Sequence, residues 1–363
     1  MKKTLIVLFC WVGSFCASAQ QHLTEHVFLI TTDGFRWQEL YGGADSSLLF
    51  DRTFTKDSAN TVKTFWAETP QQRRTKLMPF FWNTIAQQGQ LYGNRWLGNK
   101  VNVLNPYWFS YPGYSEILTG FVDESINSND KKDNPNVTVL EFLHRQKGFQ
   151  GQIAAFASWD VFPWIIHTNR SGIPVNAGVT PAQQGKLSER ELYLNELLPN
   201  LPSPWGTSAR LDLLTYQYAK EYVKRASPKV LFLAFDETDD YAHDGNYRDY
   251  LSAAHRVDSY IADLWNYVQS QPKYRNKTTF IITTDHGRGF QPKVRWKDHG
   301  TKTPNSYEIW FAVIGPDTPP TGEVSTSAQY FQNQLAKTLA AFLGIDYQNK
   351  QPVGEVVSGA IKK

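Results

Sequence analysis

Cysteine is nearly missing from this sequence, whose 363 residues include only Cys10 and Cys16. Because both lie near the N-terminus, the rest of the chain can form no disulfide, no thiolate metal site and no cysteine nucleophile. A strong excess of one charge is missing too, since 37 basic residues face 34 acidic ones. This balance gives no signal for a nucleic acid or an anionic membrane as partner. After the N-terminal segment, no apolar run reaches the roughly 20 residues of a membrane span.

The first residues have the pattern of a secretory signal peptide. Lysines at positions 2 and 3 precede an apolar run, and small residues follow at positions 17–19. The pattern predicts a signal peptide over residues 1–19, cleaved after Ala19, and an exported protein that works in the periplasm or the medium. Removal of this segment lowers the formal net charge from +3 to +1, since both lysines leave with it.

Short apolar runs alternate with amphipathic stretches along the rest of the chain, as in a largely parallel sheet flanked by helices. We predict an α/β fold with one catalytic domain over 20–363 and an irregular insertion at about 159–207, and we expect 45–72 to be a surface excursion. The predicted strands are His26–Thr32, Gly151–Ser158, Lys229–Phe235, Thr278–Thr284 and Glu308–Ile314. The predicted helices are Met78–Gln88, Val137–Gln146, Ser208–Arg225, Tyr247–Gln269 and Ala328–Leu343.

Acidic residues and a histidine follow two predicted strands at the point where each strand ends. Asp33 and Gly34 follow the first strand, and Asp285 and His286 follow the fourth. Ligands collect at the carboxyl ends of strands in open α/β sheets. Adjacent Asp and His supply the oxygen and nitrogen ligands that zinc accepts. Taken alone, Asp33-Gly34 is also compatible with a simple turn.

Two further segments carry side chains of the same type. Asp239 and His243 follow the third predicted strand and are four residues apart, so one helical turn places both on the same face. His299 lies in a loop-like stretch before the last predicted strand. Each of these is compatible with an exposed polar group when taken singly. Together with the residues at the other strand ends they predict a metal centre.

Ser110 is the candidate nucleophile. It begins a segment whose apolar spacing after Pro112 predicts a helix. A hydroxyl just before the helix start faces free N–H groups and the positive end of the helix, which also suit a phosphate. The alternative is that Ser110 is only the N-cap of this helix. Ser115 is the competing hydroxyl, but we expect it to lie inside the helix.

These side chains fit two divalent metal ions, zinc in the first place and manganese as the alternative. The first ion would be held by Asp239, His243 and His299. The second ion would be held by Asp33, Asp285, His286 and the Ser110 oxygen.

The order of these residues along the chain resembles that of the metal ligands and nucleophile in the alkaline phosphatase superfamily, and within it the type I phosphodiesterase/nucleotide pyrophosphatase branch. The stretch from Ser110 to Gly120 is similar to the family segment that begins with the nucleophile and ends in Thr-Gly. The helix that carries Arg256-Val257-Asp258 is similar to that branch as well. The resemblance implies an alkaline-phosphatase-like three-layer sandwich with a mostly parallel central sheet, and a phospho-serine intermediate. It also implies an asparagine that stabilises the transition state; Asn127 and Asn129 are the candidates, and we select Asn129.

Three other branches of this superfamily differ from this sequence, or leave a choice open, at particular residues. Sulfatases have an Arg four residues after the modified nucleophile, where this chain has Tyr114. Cofactor-independent phosphoglycerate mutases insert a whole domain between Ser and the next Asp, yet only 129 positions separate Ser110 from Asp239. Phosphomonoesterases place a cation or a third metal near the phosphate. The possible cations of this chain are Arg36, Arg288 and Lys297.

The sequence therefore predicts an exported, metal-dependent hydrolase of small-molecule phosphate esters, with diesters or nucleotide pyrophosphates favoured over monoesters. The aromatic run Trp159–Trp164 is compatible with stacking on a base or an aryl leaving group, and equally with a hydrophobic plug that fastens the insertion. A catalytically silent metal-binding protein on the same fold is the alternative from a different class.

Overall fold

A computed structural model describes residues 22–202 and 204–362. The predicted signal peptide at 1–19 lies outside the described residues. Within the described ranges, no helix combines the length and the apolar character that crossing a membrane requires.

The described residues form strands and helices in alternation. The strands are β1 (His26–Thr32), β2 (Gln90–Tyr92), β3 (Asn99–Asn102), β4 (Ile153–Ala157), β5 (Val175–Ala177), β6 (Val230–Phe235), β7 (Thr278–Thr283), β8 (Glu308–Ile309), β9 (Phe311–Ile314), β10 (Gly322–Glu323) and β11 (Ala328–Phe331). The α-helices are α1 (Trp37–Gly42), α2 (Ser46–Leu49), α3 (Ser58–Phe65), α4 (Pro70–Leu77), α5 (Ala86–Gln88), α6 (Ser110–Thr119), α7 (Val139–His144), α8 (Phe162–Ile165), α9 (Thr168–Ser171), α10 (Glu189–Leu197), α11 (Asp212–Ala226), α12 (Glu237–His243), α13 (Tyr247–Ser270) and α14 (Gln334–Phe342). A π-helical turn spans Phe81–Ile85, and 3₁₀ turns span Arg95–Leu97, Leu198–Asn200, Lys293–Lys297 and Ser358–Ala360.

The central sheet has eight strands in the order β10-β2-β9-β7-β1-β6-β4-β5. From β7 to β5 every pairing is parallel, and β9 runs antiparallel to both of its neighbours. A smaller sheet has the order β11-β3-β8. The predicted fold class, an α/β sandwich with a mostly parallel central sheet, is confirmed.

Helices cover both faces of the central sheet. All seven positions of β1 are buried. Because successive side chains of a strand point to opposite faces, Phe28 and Ile30 join one apolar core with α11 and α13, whereas Val27 and Leu29 join a second core with α6, α7 and α14. The three layers therefore consist of helices, sheet and helices.

The predicted strand Glu308–Ile314 is divided between β8 in the smaller sheet and β9 in the central sheet. Two further predictions about local structure are wrong. Residues 328–343 are not one helix, because Ala328–Phe331 pairs with β3 at the edge of the smaller sheet before α14 begins. Residues 45–72 are not a surface excursion, because they contain α2, α3 and part of α4 and bury the side chains of Leu48 and Phe65 in the core. In both cases long-range packing, which has no local periodic signal, decided the structure.

The predicted insertion at about 159–207 contains α8, α9, β5 and α10. Its strand β5 pairs with β4 and forms one edge of the central sheet. Phe162 packs against Tyr114 and Phe232, with ring centroids 4.7 and 5.4 Å apart. Phe162 is thus a hydrophobic plug, while Trp159 and Trp164 on either side of it are half-buried.

Candidate metal centre

Three parallel strands bring the candidate ligands to one edge of the sheet. The strand β1 is paired on one side with β6 and on the other with β7. Asp33 follows β1 directly, α12 with Asp239 and His243 follows β6, and Asp285 and His286 follow β7. Because the carboxyl ends of neighbouring parallel strands lie side by side, these five side chains converge.

Asp33, Asp285 and His286 form what we call the inner group. Each offers a ligand atom within 4.8 Å of the others, and all three are buried. His286 Nε2 lies 3.3 Å from Asp33 Oδ1 and 3.5 Å from Asp285 Oδ2. His286 Nδ1 lies 2.9 Å from the carbonyl oxygen of Gly287. Since a carbonyl can only accept, Nδ1 is the donor in this bond, and Nε2 is the ring nitrogen that faces the two carboxylates.

Asp239, His243 and His299 form what we call the outer group, whose ligand atoms also lie within 4.8 Å of one another. Asp239 Oδ2 is 3.0 Å from His243 Nε2, as expected for residues one helical turn apart. Asp239 Oδ1 is 3.7 Å from His299 Nε2, and the two Nε2 atoms are 2.9 Å apart. His243 is exposed, so this group forms the side of the centre that faces solvent.

Electrostatics distinguishes the two groups. Burial raises the pKa of Asp33 well above its usual value, and the charge of Asp239 adds to the effect. Burial and the neighbouring Asp33 also raise the pKa of Asp285. Burial acts in the same direction on Asp239, but Arg288 and the histidines of the outer group outweigh it and hold its pKa well below the usual value. Positive charge therefore outweighs the effect of burial at Asp239, but it does not do so at Asp33 and Asp285.

The donor sets fit divalent metal ions. Asp33 Oδ1 and Asp285 Oδ2 are buried and have no hydrogen-bond partner. Such orphaned oxygens are costly in a protein interior unless a cation or a donor satisfies them. Two carboxylates and an imidazole on one side, and one carboxylate and two imidazoles on the other, are the oxygen and nitrogen ligands that zinc and manganese take.

Ser110 lies beside the inner group. It is buried, and its Oγ is 3.4 Å from His286 Nε2. A Cβ atom at Gly113 would stand 2.5 Å from the carbonyl oxygen of Asp285, so glycine at this position lets α6 approach the ligand-bearing turn. The expectation that Ser110 precedes the helix is wrong by one residue. It is the first residue of α6, and the N-cap is Phe109, which has extended backbone and makes no capping bond.

Two other polar side chains of α6, Tyr114 and Ser115, are buried and hydrogen-bonded. Ser115 Oγ accepts a hydrogen bond from Asn134 Nδ2 at 3.2 Å in a buried position, so this hydroxyl is structural. The Tyr114 hydroxyl donates to Asp33 Oδ2 at 2.9 Å. Tyr114 therefore orients Asp33, a role that its position in the sequence did not indicate.

Asn129 lies against the first turn of α6. Its Oδ1 accepts the backbone N–H of Tyr111, the residue that follows Ser110, at 3.0 Å. Asn127, which is exposed as Asn129 is, lines a polar cavity with Ser125 and Lys132.

The three candidate cations have different surroundings. Arg36 is buried in an ion pair with Glu39, and Arg288 is buried in an ion pair with Asp239. Lys297 lies along Gly245, just after the end of α12, where a Cβ atom would stand 3.1 Å from its Cδ. Both arginines are thus already neutralised by carboxylates.

Like the role of Tyr114, the contacts of Gln332 and Arg288 with the candidate metal centre were not predicted from the sequence. Gln332 is buried, and its Nε2 donates to the carbonyl oxygens of Thr284 and Asp285 at 3.2 and 2.6 Å. Arg288 was considered only as a phosphate-binding cation. Asp258, by contrast, is remote from the centre, since its carboxylate accepts the backbone N–H groups of Phe80 and Phe81. No local motif identifies Gln332 or Arg288 as a residue that contacts the candidate ligand segments, because their hydrogen-bond partners are distant in sequence.

Comparison with known proteins agrees with this architecture. The family model described as Sulfatase matches residues 106–345. No curated protein matches the chain. The structure of wild-type alkaline phosphatase PafA superimposes with a TM-score of 0.58 at 11% identity, covering 93% of this chain and 99% of that one. BT1596, a 2-O GAG sulfatase, superimposes with a TM-score of 0.56 at 13% identity, covering 90% of this chain and 72% of that one. The phosphonate monoester hydrolase SpPMH from Silicibacter pomeroyi superimposes with a TM-score of 0.53 at 14% identity, covering 92% of this chain and 76% of that one. At these identities the structural likeness shows the fold alone, which is that of the alkaline phosphatases.

Proposed function

The chain belongs to the sulfatase family, in the alkaline phosphatase superfamily of metal-dependent hydrolases, and from this premise we propose that it cleaves phosphate diesters or nucleotide pyrophosphates through Ser110. The observation that carries the proposal is the 3.4 Å distance from Ser110 Oγ to His286 Nε2, at the first turn of α6. A helix start presents free N–H groups to an anion. The nucleophile, the anion site and the candidate metal centre thus coincide.

A phosphate ester is favoured over a sulfate ester by the residue four positions after Ser110. Where sulfatases have an arginine, this chain has Tyr114, whose hydroxyl is bound to Asp33. Tyr114 therefore orients a candidate metal ligand, and it does not supply the positive charge that the formylglycine chemistry of a sulfatase uses.

A diester is favoured over a monoester by the charges around Ser110. A monoester dianion carries one more negative charge than a diester and needs an additional cation. Two of the three candidate cations, Arg36 and Arg288, are buried against Glu39 and Asp239, so their charges are already compensated. The neutral Asn129 lies beside α6 and is suited to donate a hydrogen bond to a singly charged phosphate.

In the proposed reaction, Ser110 Oγ attacks phosphorus. The new P–O bond forms as the ester P–O bond breaks, and the serine proton leaves with the alcohol product. Water then cleaves the phospho-serine and restores the hydroxyl. When bound to the two groups, divalent cations supply charge neutralisation and activation of the oxygen nucleophile. Asn129 Nδ2 and the N–H groups of α6 stabilise the non-bridging phosphate oxygens.

The experiment that tests this function compares three chromogenic esters with zinc-loaded protein. We expect kcat/KM for bis-p-nitrophenyl phosphate to exceed those for p-nitrophenyl phosphate and p-nitrophenyl sulfate by about tenfold or more. Preference for the monoester would place the activity among the phosphomonoesterases, and preference for the sulfate would overturn the phosphate assignment. Full metal loading without turnover of any ester would support the silent metal-binding protein.

The role of Asn129 has its own test. Asn129→Ala should lower kcat/KM for the diester by about tenfold to a hundredfold, because one donor to the developing phosphate charge is lost. Asn127→Ala is the matched control, since Asn127 is an exposed asparagine of the same loop that lines a polar cavity with Ser125 and Lys132. Equal effects of the two substitutions, measured on proteins with the same melting temperature, would contradict the assignment.

A further inference from the structure

Arg288 is a fully buried cation at the centre of the candidate metal site. It is 1% exposed and follows His286 by two residues. Its Nε donates to the carbonyl oxygen of Trp296 at 2.9 Å, its Nη2 donates to the carbonyl oxygen of Lys297, and its Nη1 donates to Asp239 Oδ1. Each nitrogen of the guanidinium therefore has an acceptor, and each acceptor belongs to a segment that carries, or directly precedes, a candidate ligand.

These bonds join three parts of the chain that are separate in sequence. Arg288 itself continues the turn that presents Asp285 and His286. Trp296 and Lys297 lie in the 3₁₀ turn that leads to His299. Asp239 lies on α12, the helix that also carries His243. The outer group is thus assembled from a helix and a loop, and Arg288 is bonded to both.

The ion pair also fixes which oxygen of Asp239 is available. Nη1 of Arg288 occupies Oδ1, while Oδ2 faces His243 Nε2 at 3.0 Å. A Cβ atom at Gly34 would stand 2.6 Å from Arg288 Nη1 and 2.7 Å from Asp239 Oδ1. The glycine after Asp33, which has a φ of +57°, leaves room for this ion pair directly against the backbone. Gly34 is therefore required for close approach as well as for the turn.

We propose that Arg288 is a positioning residue that assembles the outer group for metal binding. The inference rests on the proposed two-metal function, but it concerns metal affinity rather than the ester that is cleaved. Arginine suits the task because its planar fork donates in several directions at fixed angles, whereas a lysine ammonium is a point charge on a flexible stem. Residues that orient metal ligands in this way commonly change metal affinity by about tenfold to a hundredfold when replaced.

The test measures zinc binding by Arg288→Lys and Arg288→Gln in the full mature protein, without any ester. We expect wild-type protein, dialysed against buffered zinc, to retain two ions per chain. Both variants should retain one ion per chain under the same conditions, because the zinc affinity of the outer group should be lowered by about tenfold or more. With cobalt in place of zinc, the visible absorption of the ion bound to the outer group should change, because Arg288 no longer holds the ligands of that group in place.

The matched control is Arg210→Lys. Arg210 is also a buried arginine, but it donates to Thr215 Oγ1 and to the carbonyl oxygen of Asn176 and has no bond to a candidate ligand. We expect it to lower the melting temperature of metal-free protein and to leave two zinc sites of normal affinity. Equal loss of zinc in Arg210→Lys and Arg288→Lys would overturn the proposal, as would two sites of wild-type affinity in both Arg288 variants.

Chemical rescue provides a second measurement if Arg288→Gln does not fold. Arg288→Ala, purified with zinc and then dialysed, should bind zinc at the outer group again when millimolar guanidinium is added. The guanidinium ion can occupy the vacated position between Asp239 and the loop carbonyls. Methylammonium at the same concentration should not restore it. Absence of any difference between the two cations would overturn the positioning role. Failure of the ester assays leaves these outcomes unchanged, so the two proposals fail separately.

Discussion

Ser110→Ala should lower kcat/KM for bis-p-nitrophenyl phosphate by about a thousandfold or more. The substitution removes the atom that the first step of the proposed reaction joins to phosphorus, while the helix start and the candidate metal centre remain. Metal content should stay at two ions per chain, because the inner group keeps Asp33, Asp285 and His286. Steady-state kinetics, metal analysis and a thermal melt on the same preparation measure all three quantities.

Ser115→Ala is the control for this substitution. Ser115 lies on the same helix and is also buried, but its hydroxyl is bonded to Asn134. We expect this variant to lose some stability and to keep its turnover. If Ser110→Ala retained normal turnover, the nucleophile assignment would be wrong. Mass spectrometry of quenched wild-type reactions, with a phosphate on the peptide that contains Ser110, is the direct readout of the intermediate.

The second large effect concerns the outer group. Asp239→Ala and His299→Ala should each reduce the metal content from two ions to one per chain, because each removes one of three ligands from a site that is open to solvent. The remaining ion should be the one bound to the inner group, whose three ligands are fully buried. Diester hydrolysis should fall with the loss of the ion, and metal analysis after dialysis against buffered zinc provides the measurement.

Asp244→Ala is the matched control for the outer group. Asp244 is the exposed C-cap residue of α12 and directly follows His243, but it does not belong to either group of candidate ligands. We expect two ions per chain in this variant. Two ions per chain in Asp239→Ala and His299→Ala as well would show that these residues do not hold a metal, and the two-site description would have to be abandoned.

The residues at strand ends were accessible from the sequence because their signals are local. An apolar strand followed by Asp33, or by Asp285 and His286, can be recognised without knowing the fold, and β1 has the bounds that were predicted for it. Parallel strands with helical connections then place such residues at one edge. The spacing of Asp239 and His243 predicted their proximity correctly, since both lie on one turn of α12.

The contacts that orient these residues were not accessible, because they join distant segments. Tyr114 is 81 positions from Asp33, Arg288 is 49 positions from Asp239, and Gln332 is 47 positions from the Asp285 carbonyl that it binds. None of the three contacts produces a periodic pattern or a motif. The same reason explains the strand Ala328–Phe331, whose pairing with β3 outweighs a sequence that is compatible with a helix.

The sequence by itself determined the class of fold, the chemical types of the candidate ligands and the serine beside them, since strand and helix periodicity and the residues at strand ends are local properties. Tertiary structure alone decided the distances within the two groups, the 3.4 Å approach of Ser110 to the inner group, and the pairing of Arg36 and Arg288 with carboxylates. Distance, burial and the partner of each charge depend on how separate segments pack against one another, and packing is a property of the folded chain.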